Sequence, residues 1–133
     1  VAVGAAVWVK AVNTLDSMLG YPTYPHGTAS ARLDDIVEWI PARLSAGLIA
    51  TAALDAAALK RASSWVGEPS SPNSGWPMAT MAAVMDVRLH KPGAYDLNPK
   101  GALPTIDAAR SAVRVGTRGG LCAFALAGVI AWF

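Results

Sequence analysis

Cysteine is nearly absent from this 133-residue chain: Cys122 stands alone, and histidine occurs only twice. One thiol cannot form a disulfide framework, a Cys-based zinc site or a CxxC redox pair within one chain. Charge is also scarce. Asp, Glu, Lys and Arg make up 15% of the residues, against about 25% in an average soluble domain. The eleven basic residues are scattered and the net charge is only +2, so the clustered footprint of a nucleic-acid binder is missing and no nucleic-acid partner is expected. There is no Walker A sequence, no G-x-G-x-x-G and no HExxH. The apolar start, Val1 to Val9, lacks the basic region and cleavage site of a signal peptide. No strand-like alternation persists, and no internal repeat stands out.

What the chain has in abundance is apolar residues, 53% of the total. The expected fold is all-α, a helical integral membrane segment with polar loops, forming a single membrane-associated domain over residues 1–133. Val3 to Leu19 reads as a helix with Lys10, Asn13, Thr14 and Ser17 on one face and Gly20 at a C′ position suited to positive φ. Tyr21 to Gly27, with two prolines, reads as a loop. Thr28 or Ser30 could cap a second helix, which Pro41 should end or kink. Ala42 to Ser63 reads as one long Ala/Leu-rich helix, able to cross a membrane between Arg43 and Lys60. Ser63 to Trp76 is a loop, and Pro77, with Ser74 as cap, opens a helix running to about Leu89. His90 to Pro104 is again loop. Thr105 caps a short helix through Val115, with Asp107 near its positive end. Gly116, Gly119 and Gly120 should then break the chain before the apolar run Leu121 to Phe133. As a helix those thirteen residues rise about 20 Å, short of the ~30 Å hydrocarbon core. Both ends read as cut inside apolar segments of a longer protein.

Three constellations could carry chemistry. The run from Arg32 to Arg43 packs Asp34, Asp35 and Glu38 between two guanidiniums. Asp34 and Glu38, at i and i+4, are like-charged neighbours at a cost of roughly 0.2–0.5 kcal/mol. A divalent cation or a substrate ammonium would relieve that repulsion; a solvated helix face is the plain alternative. Ionisable groups at a membrane edge are functional by default. Second, Lys10, Asn13, Thr14, Asp16 and Ser17 share one apolar helix, as a binding face or as interhelical polar glue. Third, Ser71-Pro-Asn73-Ser-Gly-Trp-Pro77 leads into a helix whose free N–H groups could bind phosphate or carboxylate, or is an ordinary capped loop.

Lys10-Ala-Val-Asn-Thr-Leu-Asp-Ser-Met-Leu-Gly-Tyr21, Ala29-Ser-Ala-Arg-Leu-Asp-Asp35, Ile40-Pro-Ala-Arg43 and Ser71-Pro-Asn-Ser-Gly-Trp-Pro77 together resemble the adenosylcobinamide-phosphate synthase family of cobalamin biosynthesis, in order and approximate spacing. The resemblance covers roughly Gly4 to Leu89, and the chain looks like the C-terminal part of longer members. It implies a multi-pass cell-membrane protein with cytoplasmic site loops. The implied reaction is an ATP-dependent amide ligation joining aminopropanol or its phosphate to adenosylcobyric acid. ATP and Mg²⁺ are the implied cofactors, and N-terminal helices or oligomer partners beyond this chain are implied too. On the matching positions, Asp34 and Asp35 would hold the metal, and with Asp16 they form the catalytic set. Lys10, Asn13, Thr14, Arg32, Arg43, Ser71 and Asn73 would bind substrate, the arginines suiting phosphate or carboxylate. The family usually has Pro-Glu where this chain has Pro77-Met78. The rival class is a non-catalytic membrane protein, either a regulatory relative or a truncated remnant. A soluble helical binding module is a third.

Overall fold

The computed structural model describes residues 2–20 and 27–132; of the loop expected over Tyr21 to Gly27, residues 21–26 lie outside the described residues and Gly27 belongs to the helix that follows. Among those described, six helices and two short strands follow one another along the chain. The chain divides into two compact units, one ending at Pro41 and the other starting at Ala42.

The first unit is built on α1 (Ala2–Leu19) and α2 (Gly27–Val37), which pack against each other. Val12, 2% exposed, is buried on α1. Thr14 and Ser17 donate their hydroxyls to the carbonyls of Lys10 and Asn13 at 2.8 Å. Side chains that could compete with the helix are thereby spent on it. Gly20 follows α1 as expected, but for a different reason. Its φ is not positive; a Cβ there would overlap the Asp16 carboxylate and come within 2.6 Å of the Asp16 carbonyl oxygen. Thr28 and Ser30 do not cap α2. They lie inside it, and the Ser30 hydroxyl donates back to the Gly27 carbonyl at 3.0 Å. The helix stops at Val37, before Pro41. Glu38 forms the turn, and Pro41 sits in the first turn of α3 (Trp39–Ala52), where a missing N–H costs nothing.

In the second unit α3 buries Ala42, Ala46 and Ala50, one small-residue face at four-residue spacing. The single helix expected over Ala42 to Ser63 is broken after Ala52. Leu54 takes a left-handed φ of 55°. The Asp55 carboxylate then accepts the Ala58 N–H at 3.1 Å and starts α4 (Ala57–Ala62). Arg61 pairs with Asp55 at 2.5 Å and donates to the Ala83 carbonyl at 3.2 Å, tying α4 to α5 (Gly75–Met85). The core is made of Ala58, Ala62, Ala79, Ala82, Ala83 and Leu97, with Trp65, Val66, Met78 and Tyr95 packed around it. Alanine faces let α4 and α5 approach closely, and the larger side chains close the rim.

The helix expected to reach Leu89 ends at Met85, with Asp86 in the left-handed conformation at φ 49°. An antiparallel hairpin follows, β1 (Leu89–Lys91) with β2 (Tyr95–Leu97), pairing Leu89 with Leu97 and Lys91 with Tyr95. Gly93, at φ 73°, serves its turn. Strict all-α is therefore corrected to a mostly helical chain with one small hairpin, whose three-residue strands are too short for alternation to show. Arg88 clamps Asp96 with two hydrogen bonds, 2.8 and 2.6 Å. Thr105 caps the last helix as expected, accepting the Ala108 N–H at 3.1 Å. That helix does not stop at Val115. α6 runs unbroken from Ile106 to Trp132, 27 residues, through all three glycines. Its length and composition are those of a membrane span, the one such helix among the described residues.

Candidate functional site

The first unit assembles an acidic cluster from two helices. α1 contributes Asn13 and Asp16, one turn apart; α2 contributes Asp34 and Asp35. The Asn13 amide donates to the Asp34 carboxylate, while Asp16 and Asp35 stand close enough to repel its charge. One oxygen of Asp34 and one of Asp16 are shielded from solvent without a hydrogen-bond partner among the described residues. The Asp34 carboxyl is pushed above its ordinary 3.8, first by burial and then by the Asp16 charge; the Asn13 hydrogen bond opposes this and Asp35 adds to it. Unsatisfied buried carboxylate oxygens are costly. Two of them on neighbouring acids form a pole that a cation would satisfy. The local partner that Asp34 lacked on its own helix is supplied from α1.

The other first-unit residues are placed differently. Lys10 and Asn13 line a shallow open groove of about 530 Å³ with Val9 and Glu38. Thr14 faces solvent with its hydroxyl bound to its own helix. Arg32 is exposed on α2. No group of three or more His, Cys, Asp or Glu side chains with metal-holding geometry occurs among the described residues. A magnesium ion needs only one or two carboxylates when phosphate oxygens and water complete its shell, and the orphaned oxygens of Asp16 and Asp34 fit that requirement.

The second unit gathers polar and aromatic groups around one cation, Arg43. Arg43 donates through Nη1 to the Asn73 Oδ1 at 2.6 Å, and its guanidinium carbon lies 5.3 Å from the centre of the Trp76 ring. Asn73 is buried, 5% exposed. Its own N–H donates to the Ser71 hydroxyl at 3.3 Å, which shapes the turn before α5. The loop approaches the chain closely at Gly75, where a Cβ would overlap the Val66 carbonyl oxygen. The start of α5 is less open than expected. The Ser74 side chain makes no cap, the Trp76 N–H is taken by the Asn73 carbonyl at 3.2 Å, and the Met78 N–H by that of Ser74 at 3.4 Å. Anion-binding capacity therefore rests on Arg43 rather than on free N–H groups. Trp76 was not singled out from the sequence. Its spacing of three from Asn73, which puts both on one side of the chain entering α5, was the available signal. Met78, where the family usually has Glu, packs against the alanine core.

A protein mostly helical over its described residues, with one membrane-length apolar helix among them, an acidic pole and an aromatic-backed arginine, is the class these observations define. Comparison with known proteins is more specific. Residues 1–118 match the family described as CobD/Cbib protein, and the chain belongs to that family. It is 44% identical over 118 residues to the probable cobalamin biosynthesis protein CobD of Methanothrix thermoacetophila, covering 84% of this chain and 37% of that protein. The cobalamin biosynthesis protein CobD of Photorhabdus laumondii is 42% identical over 98 residues, 68% of this chain and 31% of the relative. That of Rhodobacter capsulatus is 47% identical over 90 residues, 65% and 29%. The chain thus spans about a third of the length of these curated relatives. No solved structure matches it.

Proposed function

We propose that the chain serves cobalamin biosynthesis as part of an ATP-dependent amide ligase, joining aminopropanol or its phosphate to a propionate side chain of adenosylcobyric acid. Family membership and the names of the relatives support the pathway. The observation that carries the chemistry is the pair Asp16 and Asp34, each with a buried carboxylate oxygen lacking a partner among the described residues.

Making an amide from a carboxylate requires that its oxygen leave as phosphate while the amine nitrogen bonds to carbon and loses a proton. Each unit carries groups suited to one kind of charge in that exchange. Asp34 and Asp35, with Asp16 beside them, form the cation pole and would hold Mg²⁺. Magnesium, when bound, screens the nucleotide phosphates. Asn13 orients the Asp34 carboxylate by its hydrogen bond. As the alternative to holding Mg²⁺, a carboxylate of this set accepts the proton the amine gives up; without a cation, burial and the Asp16 charge hold Asp34 toward its protonated form. Lys10 in its groove and Arg43 against Trp76 suit the anionic groups, phosphate or propionate. Asn73 and Ser71 hold Arg43 and its loop in place; Arg32 and Thr14 flank the acidic helix pair from exposed positions.

Met78, half-buried against the alanine core where the family usually has Glu, favours a second reading, a non-catalytic relative. Complementation separates the two. A strain lacking the synthase, supplied with cobyric acid and aminopropanol, should recover cobalamin synthesis with the full-length protein. Failure of that protein, shown to be expressed and membrane-inserted, sinks the ligase reading. Full activity of Asp34→Ala or Asp35→Ala would sink the cation pole specifically.

A further inference from the structure

Glu38 is the one carboxylate of the acidic run that the cation pole leaves unused. Its N–H donates to the Asp34 carbonyl at 2.8 Å, so the last turn of α2 carries on through it. That sets Glu38 one turn beyond Asp34 on the same side. α1 runs past in the opposite sense. Asp16 stands near Asp34, while Lys10, nearer the start of α1, lines the groove with Glu38. Asn13 belongs to both levels: it lines the groove and donates to the Asp34 carboxylate. Ala5, Ala6 and Val9 supply an apolar wall, and the groove's volume of about 530 Å³ lies within the roughly 300–1,000 Å³ of small-molecule sites. Lys10 is exposed and Glu38 half-buried. Among the described residues neither side chain makes an ion pair, with the other or with any third group. Opposite charges that met would be spent on each other. Held apart across a groove, they complement a molecule that carries the reverse pair.

We propose that this groove seats the amine substrate of the ligase as its phosphate ester, the ammonium on Glu38 and the phosphate on Lys10, an assignment that rests on the ligase reading of the adjoining acidic pole. The short carbon chain lies against Val9 and the two alanines. A lysine ammonium is a point charge suited to phosphate, and the apolar wall leaves the two ends to fix the direction of the ligand. Glu38 stands one helical turn, about 5.4 Å along the axis, from Asp34. The amine nitrogen is thereby held next to the carboxylates that would hold magnesium. The like-charged spacing of Asp34 and Glu38, unfavourable on an isolated helix, is relieved by a separate cation at each: the metal at one, the ammonium at the other.

Calorimetry on the full-length protein in detergent, with and without a non-hydrolysable ATP analogue, tests the seat with three ligands. These are 1-amino-2-propanol phosphate, the free amino alcohol, and 1,2-propanediol phosphate, which has a hydroxyl in place of the ammonium. The parent should bind the first more tightly than either of the others. Glu38→Gln should lose the preference over propanediol phosphate, and Lys10→Gln the preference over the free amino alcohol, by about fivefold each, as for an ion pair open to water on one side. Each variant should keep the preference that the other loses, a crossed result that loosening of α1 against α2 does not produce. Equal binding of the three ligands by the parent, no binding of any, or selection unchanged in both variants overturns the seat. Loss of both preferences in both variants marks a disturbed helix pair and overturns it too. The ligase reading fails separately. A parent that restores cobalamin synthesis while both variants keep its selection leaves the ligase standing without this groove; a parent that gives the crossed result yet forms no amide keeps the groove and sinks the ligase.

Discussion

Truncating Arg43 to Ala should destabilise the second unit by about 2–4 kcal/mol, and the figure follows from two contacts. The hydrogen bond from Nη1 to Asn73 is 2.6 Å long and ends on a side chain only 5% exposed. A hydrogen bond to a charged group contributes about 1.5–3 kcal/mol. The guanidinium also lies 5.3 Å from the Trp76 ring centre, within the range where a half-buried cation–π contact adds about 0.5–1 kcal/mol. A double-mutant cycle isolates the first contact. Arg43→Ala, Asn73→Ala and the double variant, unfolded by denaturant in detergent, should show a coupling of about 1.5–3 kcal/mol. The second cycle, Arg43→Ala with Trp76→Leu, should give about 0.5–1 kcal/mol. Arg43→Lys keeps the charge but lacks the planar fork, so it should recover only part of the loss. A first coupling below about 0.5 kcal/mol would refute the claim that Asn73 fixes Arg43, and with it the reason for placing an anion there.

Asp34 and Asp55 should respond to pH in opposite senses. Asp34 binds its proton more tightly folded than unfolded, so its contribution to stability falls as pH rises from 3.8 through its raised folded value. Asp34→Asn should therefore melt higher than the parent at neutral pH, with the gap closing in acid. Asp55 is lowered, first by the Arg61 hydrogen bond, so its stabilisation is complete above 3.8 and disappears as pH falls through the lowered folded value; thermal melts of Asp55→Asn should match the parent only in acid. Gly75→Ala drives a methyl into the Val66 carbonyl and should cost about 1–3 kcal/mol by denaturant unfolding. Leu54, 93% exposed at φ 55°, stores left-handed strain, and Leu54→Asn should gain about 1 kcal/mol in the same assay.

Helices α1 and α5 were legible because composition and punctuation agree: apolar stretches closed by Gly20, opened by Pro77. The breaks were harder to read. Nothing local marks Leu54 as left-handed, and Ala42 to Ser63 has good helix propensity throughout. The chain turns there because Asp55 accepts the Ala58 N–H at the start of α4, a local contact, and because Arg61 bonds α4 to the Ala83 carbonyl of α5, twenty-two positions on. Conversely, Gly116, Gly119 and Gly120 looked like breakers. At about 1 kcal/mol each against Ala they are tolerated, and Gly119 is used for the approach to Leu48.

The candidate site divides along the same line. By itself the sequence determined the acidic run, the Asn13–Asp16 spacing and the family, because motif order and helical period are local properties. Tertiary structure decided which of these groups meet. Asp34 finds Asn13 and Asp16 only because α2 packs on α1, and its raised proton affinity is a product of that burial. Arg43 finds Asn73 and Trp76, thirty and thirty-three positions on, only after α3 and the turn before α5 come together. Propensity acts within a turn or two of helix, whereas burial and charge proximity depend on elements whose separation no local pattern encodes.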